Sequence, residues 1–95
     1  MSIHISLVTF DITVPESQSL KDKRNVIKSL LANLRNKFNV AVAEVGGEDT
    51  WQYAAIAVVC VANAGDFNDR VVSAVINYVE SDPRYIVNNV EIEQR

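Results

Sequence analysis

Polar and apolar positions alternate from Ile3 to Val14 (IHISLVTFDITV) with many β-branched residues, and Pro15 then interrupts any ladder, so the chain opens on a strand. After the loop Pro15 to Gln18 the period becomes helical: Leu20, Ile27, Leu31, Leu34 and Phe38 share one face at 100° per residue. Ser19 is placed to cap this helix, and Asp22, three residues on, completes a short capping box whose charge suits a helix N-terminus. Asn39 ends the helix, and Val40 to Val45 reads as a second strand that stops at the Gly46-Gly47 turn. Glu48, Asp49 and Thr50 complete the loop before a β-branched run, Trp51 to Ala62, that predicts a hairpin partner for the second strand. Asn63-Ala64-Gly65-Asp66 breaks the pattern. Asp66 as a cap, with Asp69 at the third position, predicts a helix to about Ser81 with Phe67, Val71, Ala74, Val75 and Tyr78 on its inner face. The turn Ser81-Asp82-Pro83 leads to a last strand, Tyr85 to Glu93, with Ile86, Val90 and Ile92 on one side and Glu91 and Glu93 on the other.

Strand, helix, strand, strand, helix, strand with right-handed crossovers predicts an α+β fold. Its form is the ferredoxin-like βαββαβ sandwich, a four-stranded antiparallel sheet with both helices on one face. This topology hosts unrelated functions and identifies none of them. At 95 residues the chain makes a single domain, residues 1–95, with one core. Apolar residues make up 48% and charged residues 22%, the balance of a globular rather than a disordered chain. Cys60 is the lone cysteine and sits in the apolar run Ala54 to Ala62, which excludes an intramolecular disulfide and a cysteine-based zinc site and predicts a buried small hydrophobe. No charged segment followed by an apolar one precedes the first strand, and the near-apolar stretch Tyr53 to Ala62 is half the ~20 residues of a membrane helix. The expectation is a cytoplasmic protein with no membrane partner.

Charge changes the picture more than composition does. Of nine basic residues, six (Lys21, Lys23, Arg24, Lys28, Arg35 and Lys37) lie in the Ser19 to Phe38 run, with Asp22 as its sole acid, in a chain of net charge −3. Lys21, Arg24, Lys28 and Arg35 fall on the flank adjoining the helix's apolar face, at intervals suited to a row of phosphates. A solvated helix face accounts for the same residues, because Lys and Arg are good helix formers and Arg35 and Lys37 suit the C-terminal dipole. Lys23 points toward the apolar face; either it snorkels past the first turn or a carboxylate holds it, and snorkelling is the expectation.

The segment SLKDKRNVIKSLLANLRNKFNVAVAEV, followed by Trp51 and an alanine- and valine-rich strand ending at Ala62-Asn63, resembles the YlxP-like proteins, small bacterial proteins of unknown function. The resemblance runs from Ile3 to about Val90 and is most specific at Ser19 to Arg24 and Phe38 to Gly46. It implies a ferredoxin-like fold. Genes of the family often lie beside those for translation initiation and ribosome maturation, an association that implies no activity, and the resemblance carries over no catalytic or binding residue.

An RNA-recognition domain of this topology stacks bases on aromatics of its central strands, where this chain has Ala55-Ile56-Ala57-Val58-Val59. Phe10 is the one aromatic inside a central strand and Tyr53 stands at the margin, so RNA contact is expected through the helix edge. The third strand is apolar at both parities although two helices cover one face, which predicts a homodimer through the open face with Ala55, Ala57, Val59 and Trp51 as interface residues. A modest exposed patch on a monomer is the plainer account. Trp51 serves equally well as an interface anchor or as a lid on the end of the core.

Enzyme chemistry lacks its parts. Gly46-Gly47-Glu48-Asp49 only superficially resembles the nucleotide-cyclase hairpin, since Asp49 replaces the second glutamate and Thr50 the aromatic. Val14 to Gln18 has neither the arginine nor the glycines of an acylphosphatase phosphate loop, and His4 has no partner for a triad or a metal cluster. The expectation is a non-enzymatic protein without metal or cofactor that meets RNA or a ribosomal particle through Lys21, Lys23, Arg24, Lys28 and Arg35. The alternative is a dimeric small-molecule or protein-interaction module of regulatory-domain type.

Overall fold

The alternating, β-branched and helical-period segments become six elements in a computed structural model that describes all residues, Met1–Arg95. They are β1 (His4–Thr13), α1 (Leu20–Lys37), β2 (Ala41–Gly46), β3 (Tyr53–Ala62), α2 (Gly65–Glu80) and β4 (Ile86–Gln94). The sheet order is β2-β3-β1-β4, and every neighbouring pair is antiparallel. Each helix thus crosses over one strand, which is the ferredoxin-like α+β arrangement.

Period-two alternation decides which residues face the helices. Val8, Phe10 and Ile12 of β1 and Ala54, Ile56, Val58 and Cys60 of β3 are buried against Ile27, Leu30 and Leu34 of α1 and Val72, Val75 and Val79 of α2. Phe10, expected as a possible strand-face aromatic, is fully buried on this side. Cys60 is 1% exposed, and burial pushes its thiol pKa up. Ser19 caps α1 as its spacing predicts: its Oγ accepts from the Asp22 backbone N–H at 3.1 Å, while Asp22 Oδ2 accepts from the Gln18 N–H.

Three local expectations need correction. The buried stripe of α2 is Asn68, Val72, Val75 and Val79, whereas Phe67 and Ala74 are exposed and Val71 and Tyr78 are only half-buried. Apolar residues cover so wide an arc of this helix that periodicity leaves its centre undefined, and Asn68 turns inward. Asp66 does not cap α2; the N-cap is Ala64, without a side-chain hydrogen bond, and Asp66 lies in the first turn facing Arg70. Ile86 does not share a side with Val90. A register shift between Asp11 and Ile12 sets Val87 opposite Ile12 and Ile86 opposite Thr13, which leaves Ile86 exposed on the open face.

The open face changes character across the sheet. One row runs Ala41, Val59, Leu7, Glu93 and the next Ala43, Ala57, Thr9, Glu91, apolar at β2 and β3 and acidic at β4. Tyr53, also on this face, donates its hydroxyl to Asp11 Oδ1 at 2.7 Å, and that carboxylate raises the tyrosine's pKa.

Candidate nucleic-acid interface

The α1 flank is built by two neighbours, the helix itself and the edge strand β2. Inward-facing positions of β2 are Val42 and Glu44, opposite Val58 and Ile56 of β3. Beyond Glu44 the register shifts, Val45 bulges outward, and Gly46 rejoins the ladder opposite Ala55. Gly47 then takes φ +79, where an added Cβ would lie 2.6 Å from the Tyr53 carbonyl oxygen, so glycine is required at the turn.

Lys23 fills the space this turn creates. Its side chain is completely buried, and Nζ donates to Glu44 Oε2 at 3.1 Å, to the Gly47 carbonyl and to the Tyr53 carbonyl at 3.2 Å. The expected snorkelling is therefore overturned, and the carboxylate-held alternative describes the residue. Lys23 is a clasp between α1 and the hairpin and has no surface to offer a phosphate, which removes it from the interface. Burying an ammonium is tolerable here because all three protons find acceptors, one of them a charged oxygen. Sequence reasoning missed Glu44, although a signal was present: Glu44 is the single acid at an inward position of β2, as Lys23 is the single cation on the apolar face of α1.

Lys21, Arg24, Lys28 and Arg35 are all exposed. The chain's four ion pairs are Lys23 with Glu44, Arg70 with Asp66, Arg84 with Asp82 and Arg95 with Glu93. Every basic residue outside α1 thus has a carboxylate partner. The five cations without one, Lys21, Arg24, Lys28, Arg35 and Lys37, all belong to α1. Arg35 leans across β2, with Nη2 3.4 Å from the Val42 carbonyl, and Lys37 lies over the Tyr78 ring at 5.5 Å. At 1.5 Å per residue the row from Lys21 to Arg35 spans roughly 21 Å. Between α1 and β2 lies a shallow groove of about 260 Å³, lined by Arg24, Ile27, Lys28, Leu31 and Glu44. The row adjoins no aromatic platform on the sheet, since Phe10 is buried and Tyr53 is tied to Asp11. The groove can hold an anionic backbone at its rim, and it contains no paired nucleophile and base.

Of the residues expected at a dimer interface, Ala57 and Val59 lie on the open face between β1 and β2, with Val59 36% exposed. Ala55 is on the same face but only 9% exposed, opposite Gly46, where an added Cβ would lie 3.2 Å from the Ala55 Cβ. Trp51 lies before β3 at the hairpin end, 49% exposed, so it does not close the core. No group of three or more His, Cys, Asp or Glu side chains converges as a metal site would, and no helix is long and apolar enough to cross a membrane.

Comparison with known proteins agrees with these outlines. A solved de novo designed protein, Foldit4, matches with a TM-score of 0.52 over 97% of this chain and 96% of its own at 14% identity, a likeness of fold alone. The uncharacterized protein YlxP of Bacillus subtilis (strain 168) is 30% identical over 79 residues, 83% of this chain and 86% of YlxP. Residues 5–92 match the family described as a protein of unknown function, DUF503. The segment from β1 to β4, basic α1 included, makes this chain a member of the DUF503 family, to which its likeness to YlxP also points.

Proposed function

We propose that this protein is a non-enzymatic RNA-associated factor of the cytoplasm that binds structured RNA or a ribosomal particle through the α1 flank. The observation that carries this reading is the division of its cations. Arg70, Arg84 and Arg95 each have an acid, whereas Lys21, Arg24, Lys28 and Arg35 line one flank of α1 with none. Like charges kept side by side without counterions cost stability in an isolated protein, and a polyanion offsets that cost. A row of about 21 Å without aromatics favours contact to the sugar-phosphate backbone over reading of unstacked bases. Glu44 does not neutralise the row, because one of its oxygens is engaged by Lys23.

The test is binding to ribosomal subunits and structured RNA over a salt series, wild type beside Lys21→Glu, Arg24→Glu and Lys28→Glu combined. Wild-type affinity is expected to fall steeply as salt rises, and the triple variant, still folded, is expected to lose binding. Full affinity in the variant would show that the flank is not the site.

The open sheet face supports a second reading, a homodimer. Ile5, Leu7, Ala41, Ala43, Ala57, Val59 and Val61 form a contiguous surface of small and branched apolar side chains that neither helix covers. A second copy laid on this face leaves both α1 flanks free, so the two readings are compatible.

A further inference from the structure

The open sheet face has an apolar centre and two unlike ends. Ile5 and Leu7 of β1 lie opposite Val61 and Val59 of β3 at its centre. It ends at β2 in the small, exposed side chains Ala41 and Ala43, and at β4 in the long, exposed Glu91 and Glu93. Arg95 pairs with Glu93 at 3.2 Å, whereas Glu91 has only the Asn89 amide near it, Nδ2 to Oε1 at 3.5 Å.

A closed dimer through this face needs a two-fold axis between the two sheets, and aligned sheets leave two directions for it, across the strands or along them. An axis across the strands lays every strand over its own copy. It sets Glu91 and Glu93 against the same residues of the partner, like charge facing like charge, and sets alanines against alanines at the other edge, where they leave a gap. An axis along the strands lays β3 over the partner's β1 and β2 over the partner's β4, so each row across the sheet meets itself reversed. Val61 then meets the partner's Ile5 and Val59 the partner's Leu7, each contact made twice by symmetry. Ala41 and Ala43 receive the partner's Glu93 and Glu91, whose methylenes cover the alanines while the carboxylates reach water past the β2 edge. Arg35 leans across β2 toward the Val42 carbonyl, so the acids arrive at a positive border, and the outer flank of α1 stays uncovered.

The size of the face is adequate. Four strands, the two central ones of 10 residues, make a surface of about 19 Å by 30 Å, so stacking two copies removes roughly 1,100 Å² from water, the lower end of the range for specific interfaces. Resting on the homodimer reading of this face, we infer that a second copy of the chain docks on it with the two-fold axis along the strands, β4 of each copy over β2 of the other. A twist of about 30° between the sheets slides the edges by about one residue, which exchanges Glu91 for Glu93 over Ala43 and leaves the charge there unchanged.

The experiment is sedimentation velocity over a concentration series with the full chain, comparing wild type with Ala43→Lys, Ala43→Gln and Ala43→Glu. Position 43 is exposed on an edge strand, so the three variants keep the fold, and Ala43→Gln measures the effect of added bulk alone. Expected is a reversible wild-type dimer, with Ala43→Lys associating more tightly than Ala43→Gln and Ala43→Glu more weakly, the two charged variants differing on the order of tenfold or more. Raising the salt should narrow that difference. A dimer that Ala43→Lys and Ala43→Glu weaken alike, or one that Ala43→Lys weakens more, overturns the arrangement and leaves the dimer standing. A wild type that stays monomeric at millimolar concentration overturns both.

Discussion

Lys23 shows what a single residue contributes and where sequence logic reaches its edge. Its position on the apolar face of α1 is legible from helical period alone, and so is the conflict that position creates. Its resolution depends on Glu44, which lies 21 residues away, and on two hairpin carbonyls that only the bulged β2–β3 turn brings within reach. Lys23→Met keeps the volume but strands Glu44 and both carbonyls, so stability should fall by about 3 kcal/mol, read as a lower urea midpoint. Lys21→Ala, exposed and without an acid partner, should change stability by less than about 0.5 kcal/mol and leave the midpoint nearly unmoved. Equal midpoints for the two variants would refute the clasp. The same contrast sorts the basic residues by role: one cation holds the fold, and its neighbours on the helix are left to the solvent side.

Among the elements, the strands were the most readable and the helix faces the least. In β1, Val8, Phe10 and Ile12 alternate with Thr9, Asp11 and Thr13 and are the buried set, while Ile3, Ile5 and Leu7 carry apolar side chains at the other parity. In α2 the valines at 71, 72, 75 and 79 spread the apolar surface beyond one stripe, and only packing against β1 and β3 selects Val72, Val75 and Val79. The bulge that turns Ile86 outward has no local signature either. It arises from matching β4 to β1, a pairing between residues more than seventy positions apart. Tyr85, just before β4, is 5% exposed and donates its hydroxyl to the Val79 carbonyl at the end of α2, joining the two elements. Burial, with the Asp82 carboxylate adding to it, pushes this phenol well above the ordinary tyrosine range. A raised pKa in the folded state means the contribution is intact below the unfolded value of about 10 and is lost as pH rises beyond it. Stability should therefore decline above about pH 10 by thermal melts, and Tyr85→Phe, lower at neutral pH, should show a shallower decline.

For the molecule as a whole, topology was legible because element order and crossover handedness leave few choices, whereas what lies on the two faces was legible only in part. The apolar parity of β3 predicts a second subunit over the sheet face that the helices leave open, and the register shows that this face ends in Glu91 and Glu93, which no reading of β3 alone reveals. If the open face joins two copies, a carboxylate at its centre must be expelled. Ala57→Glu should convert a dimer to a monomer by sedimentation velocity while leaving the helical spectrum unchanged. A wild type that sediments as a monomer at high concentration would end the dimer reading.

Because the sheet order puts β2 at one edge and β4 at the other, Lys21, Arg24, Lys28 and Arg35 stand on one rim of the molecule and Glu91 and Glu93, the latter paired with Arg95, on the opposite rim. Such a body carries a permanent electrical polarity, and a nearby charged surface exerts a torque on it as well as a pull. If the proposed association with RNA holds, this polarity turns the α1 side toward the polyanion before any atoms touch, so that a larger fraction of encounters begins in a productive orientation. Added salt, by shortening the distance over which that torque acts, would slow association before it loosened a complex already formed.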